Sequence, residues 1–236
     1  KTFSFIVFNS IDFLGVDNIS KDLLSPLFSS FVTRDIMGPV QKFNKFGYQY
    51  SKDRGYAFEQ KLSENTHGVL DKRLQDYAIP EQTAQIPFMF FNSVINRDGR
   101  KMIIGTHPAR FLMRPMTDVT HITPFDADAV DFHTFFAKQD AMNLSVLSAL
   151  RMNATFPYVL PNVWLPSDPV IDVMDAGLRD NFGQETALRF IDAFKGWFQQ
   201  NTSKVVLLQL RDRGLGDWER PFESSNLMDW LTKPFL

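Results

Sequence analysis

Val170-Ile171-Asp172-Val173-Met174-Asp175-Ala176-Gly177 passes from an apolar run to small and polar residues within eight positions. Val170 to Met174 reads as a short buried strand, and Asp175, Ala176 and Gly177 break it. Downstream, Ala187, Phe190, Ile191, Phe194, Trp197 and Phe198 fall on one helical stripe, and Asn181 with Gln184 resembles a capping box ahead of it. Lys204 to Leu210, rich in Val and Leu, reads as a second buried strand. Strand, tight turn, amphipathic helix and strand make a βαβ unit, which implies a parallel sheet and an α/β fold.

The segments upstream are compatible with that class. Phe88 to Ile95 follows Pro87, turns at Asn96-Arg97-Asp98-Gly99 and returns as Lys101 to Thr106, the pattern of a β-hairpin. Leu23, Leu24, Leu27, Phe28, Phe31 and Val32 have helical spacing, with Ser20 placed as an N-cap. Tyr56 to Leu62, Val69 to Tyr77, Asp126 to Phe136 and Gln139 to Met152 are also expected to be helical. The last is apolar almost all round and therefore buried. Without repeats or a linker of convincing length, residues 1–236 read as a single domain.

Composition narrows the function classes. The chain has 236 residues, 44% hydrophobic and 22% charged, which excludes an intrinsically disordered protein. A net charge of -2 gives no footprint for a phosphate backbone, so nucleic-acid binding through a basic surface is not expected. With no cysteine there is no disulfide, thiolate metal site or Cys nucleophile. No apolar run reaches the ~20 residues that span a bilayer, and no targeting segment is evident, so a soluble chain is expected. The 24 phenylalanines read either as core aromatics or as the lining of an acyl-chain groove.

In open α/β sheets, functional groups gather where strands end. Asp175 stands at such a point, either as a functional carboxylate or as a cap of its turn. Asn181 carries the same two readings.

Ser148-Ala149-Leu150-Arg151-Met152-Asn153-Ala154-Thr155-Phe156-Pro157, then Pro161, then Met174-Asp175-Ala176-Gly177-Leu178-Arg179-Asp180-Asn181 resembles the second half of the patatin-like phospholipases. Asp22 to Pro26, Asp53 to Glu59 and Pro87 to Asn92 agree, and the likeness is to larger bacterial members. It is specific between about Ser148 and Asn181. The resemblance implies a patatin-like three-layer α/β/α fold with a mainly parallel sheet, and a lipid acyl hydrolase working through a Ser–Asp dyad without cofactor or metal. Asp175 matches the family's base in its D-G-[GA] motif; Ala176 departs mildly from the motif's Gly, as the next smallest side chain, Gly177 follows it, and Asn181 is expected to shape the turn. Lipid or ester would be the substrate, and the family likeness leaves room for peripheral contact with a membrane.

None of the 12 glycines stands in a G-x-S-x-G nucleophile elbow, and no Gly-rich oxyanion loop occurs. A hydroxyl nucleophile needs both a positioned base and oxyanion donors. The expectation is therefore an incomplete patatin-like domain whose nucleophile part lies N-terminal to Lys1, with an N-terminal companion segment or self-association covering the exposed edge. The other reading is a non-catalytic binding module on the same scaffold.

The remaining candidates are weaker. His67 with Asp71, and His133 with Asp128 and Asp131, read as surface contacts; His107 and His121 join no metal-binding pattern. Gly214-Leu215-Gly216 lacks the third glycine of a dinucleotide loop. Asp53-Arg54 reads as a structural charge pair, which the resemblance places near the mouth of the site.

Overall fold

A computed structural model describes residues 5–8, 21–39, 41–116, 127–156 and 158–209. Its centre is the hairpin of β4 (Phe88–Ile95) and β5 (Lys101–Gly105), paired antiparallel with Val94 opposite Lys101 and Phe90 opposite Gly105. The hairpin forms as its turn chemistry dictates. Gly99 takes a positive φ of 71° and the Asp98 carboxylate accepts from Arg100 N.

Phe90 to Ile95 and all of β5 are buried, and their side chains alternate between two cores. Phe91, Ile95, Met102 and Ile104 join a core with Phe58 and Leu62 of the helix Arg54–Asn65, and with Leu147 and Leu150 of the helix Val146–Asn153. Phe90 and Ile103 face the other way, onto Phe190 of the helix Gln184–Ala193. Helices thus cover both faces of the sheet.

Three further strands extend it. β6 (Ala129–Asp131) runs parallel to β5; β7 (Val163–Leu165) and β8 (Ile171–Met174) are antiparallel to each other, and β8 is antiparallel to β4. β1 (Phe5–Phe8) is parallel to β4. A separate antiparallel pair joins β2 (Lys42–Lys45) to β3 (Tyr48–Ser51).

Among the described residues the architecture is therefore mixed α/β, and its sheet has three antiparallel and two parallel junctions rather than being mainly parallel. The expected βαβ unit does not close. Residues 204–209 form no strand and Val205, Val206, Leu207 and Leu208 are exposed, while β8 pairs antiparallel on both sides. An apolar run reports the propensity of a strand but not its pairing partner.

Three helix expectations shift for identifiable reasons. Residues 129–131 are taken by the parallel edge of β5, which leaves only Phe132–Phe135 helical. The segment from Gln139 is broken at Asp140, whose φ of 55° is left-handed. After a 3-10 turn at Ala141–Asn143 it resumes as α-helix only at Val146, once Leu144 O has accepted from Leu74 N. As expected, that helix is buried all round. Residues 69–74 are a turn, a bend and an isolated bridge of Arg73 to Ser145, and the helix there is Gln75–Gln82. At the first helix, Leu24–Ser30, Asp22 caps the free N–H groups of Leu24 and Ser25; Ser20 lies outside the described residues.

Candidate functional site

β1 and β8 lie on the same side of β4, because β5 occupies the other side along Phe90 to Val94. β1 runs with β4 and ends with Phe8 opposite Phe91; β8 runs against it and ends with Met174 opposite Val94. Their carboxyl ends face each other across Asn92 and Ser93, so strand direction switches there. Between these two ends no strand among the described residues pairs with β4 on that side, and Asp175, the residue after β8, stands at this gap.

Two backbone bonds fix Asp175. Its N–H donates to Thr155 O at 3.0 Å, and Ala176 N–H donates to Asn153 O at 3.2 Å. Thr155 is itself tied to the helix end by its hydroxyl, which donates to Arg151 O at 2.6 Å. The structure thus brings together the two stretches, Ser148 to Phe156 and Met174 to Asn181, that carry the sequence pattern.

The carboxylate is held on one oxygen only. Gly177 N–H donates to Asp175 Oδ1 at 2.5 Å, while Oδ2 takes no hydrogen bond from any described residue. Burial pushes the Asp175 carboxyl above its ordinary value, and the Gly177 N–H opposes this only in part. A partly buried carboxylate with a raised proton affinity and one uncommitted oxygen is suited to accept a proton.

Space at Gly177 is tight. A Cβ there would meet Asp175 Oδ1 at 2.6 Å and Asn181 Oδ1 at 2.8 Å. Asn181 thus packs its amide over the same turn, but it does not cap the next helix. Gly183, at φ 64°, precedes the helix Gln184–Ala193, and the Asp180 carboxylate accepts from Glu185 N, Thr186 N and Thr186 Oγ1. The capping box placed on Asn181 and Gln184 is therefore corrected to Asp180, one residue earlier.

Below this turn lies a buried ion network that has no signature in the sequence. Lys101 Nζ, from β5, is 3.0 Å from Glu185 Oε2 and 3.7 Å from Asp180 Oδ2. Arg189 pairs with both Asp128 oxygens, at 2.7 and 2.6 Å, and with Glu185; Arg179 reaches Asp128 at 3.0 Å. Burial pushes the Asp128 carboxyl up, but Arg189, with Lys101 and Arg179, outweighs it and holds the group below the usual range. Arg179, Asn181, Phe182, Gln184, Glu185 and Leu188 line a recess of about 330 Å³ above the network.

The other candidates part company. Asp53 and Arg54 are not paired with each other. Asp53 caps Tyr56 N and binds Arg151 at 3.1 Å, whereas Arg54 binds Asp35 at 2.6 Å. Asp71 pairs with Lys45 rather than His67. Asp128 and Asp131 are not a solvated face with His133: the first holds Arg189, and buried Asp131 accepts from Ala109 N and Thr134 Oγ1. His121 and Gly214-Leu215-Gly216 lie outside the described residues. Among the described residues no group of three or more His, Asp or Glu could hold a metal ion, and no helix is long and apolar enough to cross a membrane.

Sequence reasoning missed a second polar cluster, at the other end of the hairpin. Buried Glu81 accepts from Thr106 Oγ1 and Met89 N, with His107 Nε2 3.7 Å away. Burial raises the Glu81 carboxyl and lowers His107, the latter helped by His133. Glu81 belongs to the helix Gln75–Gln82, whereas Thr106 and His107 follow β5, so the cluster joins two segments far apart in sequence.

No protein-family profile, curated protein or solved structure matches this chain.

Proposed function

We propose that this chain belongs to a patatin-like serine acyl hydrolase, a phospholipase- or lipase-type enzyme of lipid degradation, in which Asp175 is the base of a Ser–Asp dyad. The observation that carries the reading is the setting of Asp175 itself: a carboxyl raised by burial, with one oxygen held by Gly177 N–H and the other uncommitted, at a switch in strand direction.

In the proposed reaction a serine hydroxyl, supplied from sequence outside these residues, gives its proton to Asp175 as its oxygen attacks the ester carbonyl. The leaving alcohol takes that proton and an acyl-enzyme remains. Water then attacks the acyl carbonyl, Asp175 accepts its proton, and the fatty acid departs as the serine oxygen is reprotonated. Neither metal nor cofactor is needed.

The test is hydrolysis of a p-nitrophenyl ester by the chain joined to its natural upstream segment, with and without Asp175→Asn. Loss of at least ~100-fold in kcat is expected, the usual scale for removing a general base. Equal rates would end the assignment. The second reading, a non-catalytic binding module, is favoured by the absence of G-x-S-x-G from the 236 residues. It predicts no hydrolysis even with the upstream segment present.

A further inference from the structure

The helix Leu24–Ser30 continues through π-helical turns, Phe31–Ile36, and its outward face is apolar. Leu24 (59% exposed), Phe28 (57%), Val32 (51%) and Ile36 (63%) recur every fourth residue, and Met37 (79%) extends the line. Leu27 points the other way, into the core. A helix that packs one face inward ordinarily presents polar residues outward, so a second apolar stripe needs a partner.

Arg54 joins this stripe to the candidate site. Its guanidinium lies over the Phe31 ring at 4.9 Å, binds Asp35 at 2.6 Å, and donates to Val159 O at 2.7 Å and Tyr158 O at 3.4 Å. The end of the helix is thereby fastened to the loop carrying Phe156, Tyr158 and Val159, all exposed. That loop begins at Thr155, whose carbonyl holds Asp175 N–H. Arg54 thus ties the apolar helix to the loop that anchors Asp175.

The charge of the same segment is distinctive. From 21 to 52 there are five cations, Lys21, Arg34, Lys42, Lys45 and Lys52, against two carboxylates, Asp22 and Asp35, a balance of +3 in a chain of net -2. Asp35 is already taken by Arg54. Among the described residues, Arg34, Lys42 and Lys52 pair with no carboxylate.

We propose that this face seats on the surface of an anionic lipid bilayer. The stripe and the loop enter the boundary between headgroups and acyl chains, and the unpaired cations meet anionic headgroups, the two signals that interfacial binding requires. The inference rests on the ester-hydrolase reading for its purpose, delivery of lipid ester to Asp175, but vesicle binding itself needs no chemistry.

The experiment is cosedimentation of the full chain with phosphatidylcholine vesicles, with and without phosphatidylglycerol, at low and high salt. Binding is expected only with phosphatidylglycerol, and it should weaken with salt. The exposed-site double variant Phe28→Asp/Ile36→Asp should bind at least about tenfold more weakly. Arg34→Glu should lose roughly fivefold or more. Val206→Asp, at an exposed apolar position outside this face, should bind as the parent does. Thermal melts check that the variants fold, and Arg34→Glu keeps the test open if the double variant does not.

A parent chain that stays in the supernatant, or equal binding to phosphatidylcholine alone, would overturn the proposal. So would a dimer in sedimentation velocity that Phe28→Asp dissociates, since a second copy would then be the occupant. Vesicle binding without ester hydrolysis would support this surface while removing the enzyme reading. Hydrolysis of the p-nitrophenyl ester without vesicle binding would do the reverse.

Discussion

Gly177 N–H lies 2.5 Å from Asp175 Oδ1, and the position a Cβ on Gly177 would occupy is 2.6 Å from that same oxygen. The residue that orients the carboxylate therefore also makes room for it. Ala176, buried beside it, is anchored through its own N–H to Asn153 O at 3.2 Å.

Gly177→Ala should displace the Asp175 carboxylate and the Asn181 amide while leaving the strand in place. The displaced groups are side-chain ends, so the stability cost is expected to be modest, about 1 kcal/mol on the scale of overpacking. Ester hydrolysis in the joined protein should fall by far more than that. Chemical denaturation and the p-nitrophenyl assay, run on the same preparation, separate the two effects.

Asp175→Asn should stabilise the fold in a pH-dependent way. Burial raises the folded carboxyl above the unfolded value of 3.8, so the folded state holds its proton to higher pH than the unfolded chain does. The contribution of that proton is fully present below the unfolded value and is lost as pH rises through the folded one. Asn carries no charge to desolvate and can still accept from Gly177 N–H. The variant's gain in Tm should thus be visible at pH 7 and vanish below about pH 3.8. A constant difference across pH would contradict it.

Removing Arg189 should be costly. Arg189→Ala leaves Asp128 and Glu185 beside a buried Lys101 with the strongest partner gone, and breaking a buried ion pair on one side costs about 3–5 kcal/mol. Because Asp128 is held below its ordinary range, the stability it contributes is present above the unfolded carboxylate value and lost as pH falls through the folded one. The parent and Arg189→Ala should therefore converge in stability toward acid pH, as urea titrations at several pH values would reveal.

Asp180→Ala and Asn181→Ala give opposed readings of the helix start. Asp180 satisfies two backbone N–H groups and the Thr186 hydroxyl, so its loss is expected to cost about 1–2 kcal/mol, and more through the Lys101 contact. Asn181→Ala should change stability by less than ~0.5 kcal/mol, the usual range for an exposed side chain. The reverse order in thermal melts would restore the capping role to Asn181.

The α/β class, the hairpin of β4 and β5, the buried helix Val146–Asn153, the strand Ile171–Met174 and the turn at Asp175 were all legible in residue order. Each is set by local chemistry: alternation, turn residues, or apolar content over a short window. What residue order did not determine was the partner of each strand. Lys204 to Leu210 and Ile171 to Met174 look alike as apolar runs, yet the first forms no strand as far as residue 209 and the second lies between β7 and β4. Parallel or antiparallel pairing follows from which edge is free when the chain arrives, and that is a tertiary property. The same holds for charge. Lys101, Asp128, Asp180, Glu185 and Arg189 are scattered in sequence and meet only because the hairpin, β6 and the last helices converge beneath one turn. Propensity is local, whereas the burial that turns separate charges into a network exists only after the layers have packed.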